Sequence, residues 1–136
     1  MSVQDSHRDW QQKAASVQFN IRPFIDGDYQ LSQGKAAFAT YNPATESELT
    51  TFTSADSHTI DQAVSSARKA FGQWRHLDPD HRKALLFAVA THIEADKDAL
   101  ALLDTLEMGM PISMALEQVD IVVQLFRYNA ELIDKV

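Results

Sequence analysis

The side chains best suited to hold a metal or move a proton near neutrality are five histidines: His7, His58, His76, His81 and His92. Two ligands on one helix converge on a metal only when they are three or four residues apart. The nearest pair, His76 and His81, is five apart and straddles Asp78-Pro79, where a helix is expected to begin. A metal site on these histidines is therefore not expected. Glu94, Asp96 and Asp98 are close enough to suggest an acid–base pair, but they flank a junction between two helical patterns. There they read as capping charges that complement the helix dipoles. Nucleophilic chemistry has less to draw on. The sequence contains no cysteine, which excludes thiolate attack, zinc–thiolate sites and disulfides together. Serine is plentiful, yet no Gly-x-Ser-x-Gly elbow occurs. No catalytic residue is assigned.

The elements that would position any site fall into two blocks. Residues 1–20 form a polar extension in which Trp10, Ala14 and Val17 share one helical face, so either a short docking helix or a loose tail is expected. A β-region follows over 22–53. Asp26-Gly27 stands between Phe24-Ile25 and Tyr29, the strongest short hairpin signal, because a two-residue turn of the required hand needs positive φ. Residues 37–41 read as a further strand closed by Asn42-Pro43, and 48–53 as another, rich in Thr and Phe. From about 55 to 135 the period becomes helical. Ile60, Ala63, Val64, Ala67, Ala70, Phe71 and Trp74 form one apolar stripe, with Ser54 or Asp56 as cap. Asp78-Pro79 starts a second helix bearing Leu85, Leu86, Val89 and Ile93. Asp96 opens a third with Leu100, Leu103 and Leu106, which Gly109 closes in a left-handed cap. A fourth stripe runs through Ile112, Ala115, Val119, Val122, Val123, Phe126, Ala130 and Ile133. The fold class is α+β: a short antiparallel β-hairpin region followed by four helices, within one domain spanning 21–136.

Composition narrows the class of partner. At 136 residues and 45% hydrophobic content the chain suits a globular protein. A net charge of −7 disfavours nucleic acid and anionic membranes, both of which need clustered Lys and Arg. No apolar run approaches the roughly 18 residues of a membrane span. The opening MSVQDSHRDWQQK lacks a signal-peptide pattern, which points to the cytoplasm.

Six segments in order then carry a resemblance. They are Phe24-Ile25-Asp26-Gly27-Asp28-Tyr29, Tyr41-Asn42-Pro43-Ala44-Thr45-Glu46, and Ile60-Asp61-Gln62-Ala63-Val64 through Phe71 and Trp74. Pro79 with Arg82, Leu106-Glu107-Met108-Gly109-Met110-Pro111, and Arg127-Tyr128-Asn129-Ala130 with Asp134-Lys135 complete the series. At these spacings the chain resembles the opening quarter of an NAD(P)-dependent aldehyde dehydrogenase. Trp10-Gln11-Gln12-Lys13-Ala14, just before the hairpin, is similar to the γ-glutamyl-γ-aminobutyraldehyde dehydrogenase branch, whose enzymes oxidise an intermediate of putrescine breakdown. Three positions depart from the family pattern. Met110 replaces the turn lysine, Glu46-Ser47 replace a glycine that tolerates positive φ, and Asn129 replaces a second tyrosine.

The resemblance implies the front portion of an aldehyde dehydrogenase α/β fold without its dinucleotide-binding sheet. In that family a cysteine thiolate, a general-base glutamate and a glycine-containing cofactor loop lie further along, so this segment is expected to be inactive alone. NAD or NADP would serve the complete enzyme, with no cofactor-binding residue in this chain. Site residues carried over are few. Glu117 and Ile121 match positions lining the aldehyde entrance, with core packing as the alternative for Ile121. Backbone carbonyls of Thr40 and Tyr41 with the Glu107 carboxylate match an alkali-cation site, unless Glu107 simply pairs with local backbone. The expected partner is the remainder of an aldehyde dehydrogenase or a homologous subunit. A non-catalytic helical binding module that docks on a full-length homologue is the second reading, and a helical domain with no remaining role the third. The last helix should leave apolar surface uncovered and favour self-association.

Overall fold

The computed structural model describes residues 7–32 and 34–135. The expected order is found, with one helix in front. It runs α1 (His7–Ala15), β1 (Phe24–Ile25), β2 (Asp28–Tyr29), β3 (Ala37–Tyr41) and β4 (Glu48–Thr53). The helices α2 (Ser57–Trp74), α3 (Pro79–Ala95), α4 (Lys97–Met108) and α5 (Ile112–Leu132) follow. The first six residues of the polar extension lie outside the described residues. A helix, α1, forms in the extension, but it ends before Val17 and buries no residue; Lys13 on it pairs with Asp98 of α4 at 2.8 Å.

The β-region is two separate antiparallel pairs. β1 and β2 meet through Asp26 at φ 55° and Gly27 at φ 84°, the left-handed pair that the Asp-Gly signal requires. β3 and β4 pair from Ala37↔Thr53 to Tyr41↔Glu48, with a register shift between Thr40 and Tyr41. Phe38 and Phe52 stack across this ladder with ring centroids 5.5 Å apart. In the connecting loop Glu46 takes φ 57°, so a glutamate occupies the backbone region that its glycine counterpart would enter freely. A left-handed L-residue costs about 1–2 kcal/mol, while glycine's greater freedom in the unfolded chain returns about 0.4–1 kcal/mol of that. Glu46→Gly should therefore raise stability by roughly 0.5–1 kcal/mol, read as a higher urea midpoint at unchanged slope. An unchanged or lower midpoint would count against strain at this turn.

Helix boundaries follow local chemistry. Asp56, not Ser54, caps α2, accepting from the Thr59 N–H at 2.8 Å and the Thr59 hydroxyl at 2.6 Å. Those hydrogen bonds from Thr59, hydroxyl first, hold the Asp56 carboxyl below the ordinary carboxylate range. Asp78 caps α3 with Pro79 next to it. Gly109 ends α4 at φ 72°. The acidic trio at the α3–α4 junction differs from expectation. Asp96 makes no side-chain cap; its N–H donates back to His92 O and its carbonyl accepts from Leu100 N, each at 3.0 Å. Glu94 and Asp98 go to ion pairs with Arg127 and Lys13.

The core lies where α3 and α4 pack on α5. It is built of small residues: Ala90, Ala101, Ala115, Val119 and Val123 are buried, with Ile93, Met110, Ile112, Leu116 and Phe126 around them. Met110 thus gives the core an apolar side chain where the family turn has a lysine. Down the antiparallel α3–α5 seam run Lys83–Glu131 (2.8 Å), Glu94–Arg127 (2.6 Å) and, just past α3, Lys97–Asp120 (2.6 Å). The Glu131 hydrogen bond raises the Lys83 ammonium above its ordinary range.

α2 stands apart from this core. It meets β1 through its polar side, and Ser66 donates to Asp26 at 3.2 Å. Its apolar stripe faces outward, with Ile60 54% exposed and Phe71 61%. The molecule exposes 10223 Å², whereas a compact monomer of 15.2 kDa exposes about 7,100 Å². Even if the residues outside the described range carried the surface of fully extended chain, about 1,300 Å², an excess of about 1,800 Å² remains. The expectation of uncovered apolar surface is met, and it reaches well beyond the last helix.

Candidate functional site

Three of the five carried-over positions, Thr40, Tyr41 and Glu107, lie on segments that meet around one turn. β3 ends at Tyr41, and the loop after it closes on Asn42. The Asn42 side chain accepts from Ala44 N at 2.9 Å, its carbonyl from Glu46 N at 2.7 Å, and its N–H donates to Ser47 O at 2.9 Å. This closure sets the Pro43 ring beneath Gly109, where a Cβ would stand 3.0 Å from Pro43 Cγ. Glycine at 109 is thus required twice, for its left-handed φ and for the proline. The end of β3 and the last turn of α4 are thereby neighbours, and Thr40, Tyr41 and Glu107 belong to adjoining segments.

Chemically this corner is rich in oxygen and poor in reactive groups. Glu107 is exposed on the last turn of α4, where the helix dipole is negative, and among the described residues it has no hydrogen-bonded or ion-paired partner. Thr40 Oγ1 is buried and likewise without a partner. No group of three or more His, Cys, Asp or Glu is placed to hold a metal among the described residues. A cation here would have to rely on backbone carbonyls, the donors that hard, weakly bound ions accept.

Glu117 and Ile121 are one turn apart on α5, and both are exposed. The buried face of that helix carries Ala115, Val119, Val123 and Ala130. Ile121, 48% exposed, therefore does not pack in the core; with Met114, Leu125 and Tyr128 it makes a second, open apolar face. Val122, expected in the core stripe, is also exposed, at 38%. Asn129, in place of a tyrosine, bonds back to Leu125 O at 2.8 Å.

The usual seat of a dinucleotide is not formed by the described elements. Its phosphates need a glycine-rich turn between a parallel strand and a helix N-terminus. Both strand pairs among the described residues are antiparallel. Gly27 lies in a hairpin, Gly34 before β3, Gly72 near the end of α2 and Gly109 at a helix C-terminus. Two features escaped sequence reasoning: the unpartnered, buried Arg82 Nε and the close approach of Gly34 to Ser54. Neither leaves a local pattern.

Residues 29–136 match the model of the aldehyde dehydrogenase family. The chain is 38% identical over 130 residues to the NADP/NAD-dependent aldehyde dehydrogenase PuuC of Escherichia coli, covering 93% of this chain and 26% of that protein. It is 37% identical to aminoacetaldehyde dehydrogenase of Pseudomonas aeruginosa, covering 90% and 25%. Among solved structures, γ-glutamyl-γ-aminobutyraldehyde dehydrogenase from Burkholderia cenocepacia superposes with a TM-score of 0.88 at 35% identity, over 95% of this chain and 27% of that one. The chain thus spans about a quarter of the length of the relatives it matches. No helix among the described residues is long and apolar enough to cross a membrane.

Proposed function

The chain belongs to the aldehyde dehydrogenase family, and from that premise we propose that it is the front scaffold of an NAD(P)-dependent aldehyde oxidiser and does not transfer hydride by itself. One observation carries this: a family match across 108 of 136 residues in a sequence with no cysteine. Aldehyde oxidation in this family needs a thiolate to add to the carbonyl, donors for the resulting oxyanion, a hydride acceptor and a base for the thioester. These residues supply no thiolate, and the described elements do not form the usual dinucleotide seat. Their contribution is shape.

In this reading Glu117 and Ile121 edge the aldehyde entrance. Their support is the open face of α5 that they share. Thr40, Tyr41 and Glu107 hold an alkali cation, supported by the unpaired Glu107 carboxylate and the orphaned Thr40 hydroxyl beside the Pro43–Gly109 contact. The partner is the remaining three-quarters of such an enzyme, working in the cytoplasm on an amino-aldehyde of the γ-glutamyl-γ-aminobutyraldehyde kind. The Trp10–Ala14 segment and the likeness to the Burkholderia enzyme support that branch.

Two measurements test the proposal. The purified chain, given NAD or NADP and an amino-aldehyde, should form no reduced nicotinamide; turnover would refute it. Exchanged for the matching first quarter of the Escherichia coli relative, the same residues should leave aldehyde oxidation within about tenfold, a loss under about 1.4 kcal/mol in the transition state. A soluble chimera that folds and is inactive would overturn the scaffold role.

A further inference from the structure

Asp26 is the only aspartate or asparagine in the sequence that glycine follows. The turn that holds the pair leaves it open to reaction. Asp26 stands at φ 55°, where an L-residue is strained. Both residues are exposed, and a Cβ on Gly27 would meet nothing within 4 Å. Among the described residues no group accepts from the Gly27 N–H. The hairpin around them has only two residue pairs, Phe24↔Tyr29 and Ile25↔Asp28. So short a ribbon opens locally with ease. One contact restrains the acid: Ser66 Oγ on α2 donates to Asp26 Oδ1 at 3.2 Å, across the groove between hairpin and helix.

We propose that Asp26-Gly27 is a self-modification site, where the aspartate converts to isoaspartate, and that Ser66 is the positioning residue that sets the rate. In the first step the lone pair of the Gly27 nitrogen bonds to Cγ of the protonated Asp26 carboxyl. The nitrogen gives up its proton, the Cγ–OH bond breaks, and one water leaves. The product is a five-membered succinimide. One water then adds back. If the new Cγ–N bond breaks, aspartate returns. If the bond from the Asp26 backbone carbonyl carbon to nitrogen breaks, the chain continues through Cγ and the old carbonyl becomes a free carboxylate. Nothing is oxidised or reduced, and the mass is unchanged. Glycine permits the attack because a side chain at position 27 would crowd the nitrogen. Strain gives it a direction: isoaspartate adds a carbon to the backbone, which releases residue 26 from its left-handed φ. A two-residue turn of this type cannot accept that insertion, so the hairpin register and the Ser66 contact are lost together. Ser66 opposes the first step, since Cγ must turn onto the Gly27 nitrogen and surrender the hydrogen bond. The reacting groups are neighbours in the chain, so no partner is needed and the inference does not depend on catalysis.

Incubation of the 136-residue chain in mildly acidic buffer at body temperature should accumulate isoaspartate at residue 26. Trypsin releases that residue in the peptide 14–35, because Arg22 precedes proline and resists cleavage. The product keeps the parent mass, shifts in retention time, and resists an endoproteinase that cleaves before aspartate. Ser66→Ala should speed accumulation about two- to tenfold, the range that one hydrogen bond spans, with its helical signal kept. Ser66→Thr, which retains the hydroxyl, should keep the parent rate. In concentrated urea all three chains should isomerise alike, and the parent should isomerise faster there than when folded, a comparison that needs no variant. Absence of product at residue 26, equal product at Asp28, a Ser66→Ala rate no higher than the parent's, or a parent no faster in urea would each overturn the proposal. The chimera in the previous section can succeed or fail whatever these rates are.

Discussion

Gly34→Ala should lower the stability of this chain by about 3 kcal/mol, a large loss for one methyl group. A Cβ at position 34 would fall inside the Ser54 carbonyl and stand 2.7 Å from Ser54 C and 2.9 Å from its Oγ. The obstacle is backbone, so no side-chain rotation relieves it. Nor can the carbonyl yield easily. Ser32 Oγ donates to Ser54 O at 2.7 Å, Gly34 N donates to Ser32 Oγ at 3.3 Å, and Ser54 N donates to Ala36 O at 2.8 Å. Moving the 32–36 segment away breaks this set, at about 0.5–1.5 kcal/mol per hydrogen bond. It also loosens the exit of β4, two residues before the Asp56 cap of α2. Gly72→Ala is the internal control. It lies in α2 with nothing within 4 Å of a built Cβ, and alanine there should add about 0.5–1 kcal/mol of helix stability. Opposite signs in urea unfolding support the close approach at Gly34. A Gly34→Ala loss below about 0.5 kcal/mol, the ordinary surface value, would show that Ser54 does not crowd it.

These two glycines show where sequence reading succeeds and where it stops. Asp26-Gly27, Asp56, Asp78-Pro79 and Gly109 act on residues within a few positions of themselves, so their turn and caps were legible from residue type. Gly34 answers to a carbonyl twenty residues away, and no turn or cap pattern marks it. The same holds for the seam of α3 and α5, since the Lys83–Glu131 pair spans 48 positions. Periodicity found all four helices because an apolar stripe needs only 3.6-residue spacing. It does not say what covers the stripe. For α5 one stripe is core and another is open; for α2 the stripe faces outward and the polar side meets the protein. The candidate site was legible only through resemblance. Thr40, Tyr41 and Glu107 are brought to adjoining segments by Pro43 under Gly109, a contact between elements that no local signal announces.

The small-residue core suggests the remaining large effect. Ala90, Ala101, Ala115 and Ala130 are fully buried at 0% exposure, and among the described residues no large side chain is completely enclosed. Three helices therefore meet closely, and their spacing is set by methyl groups. Ala90→Leu adds three carbons on α3 where Val119, Val123 and Phe126 of α5 close the cluster. Helix axes kept near 8 Å by alanine would have to separate toward 10 Å. Overpacking of this kind costs about 1–3 kcal/mol. Separation would also stretch Lys83–Glu131 and Glu94–Arg127, although exposed pairs of this sort add under about 1 kcal/mol each. Ala90→Leu should thus lower the unfolding midpoint steeply, and Val123→Ala in the same chain should restore part of it by removing two methyl groups from the cluster. Val123→Ala alone should destabilise, by about 1–3 kcal/mol for a buried side chain truncated to alanine. Two losses that partly cancel when combined are the signature of a shared volume. Losses that simply add would mean that α3 and α5 are not held apart at Ala90.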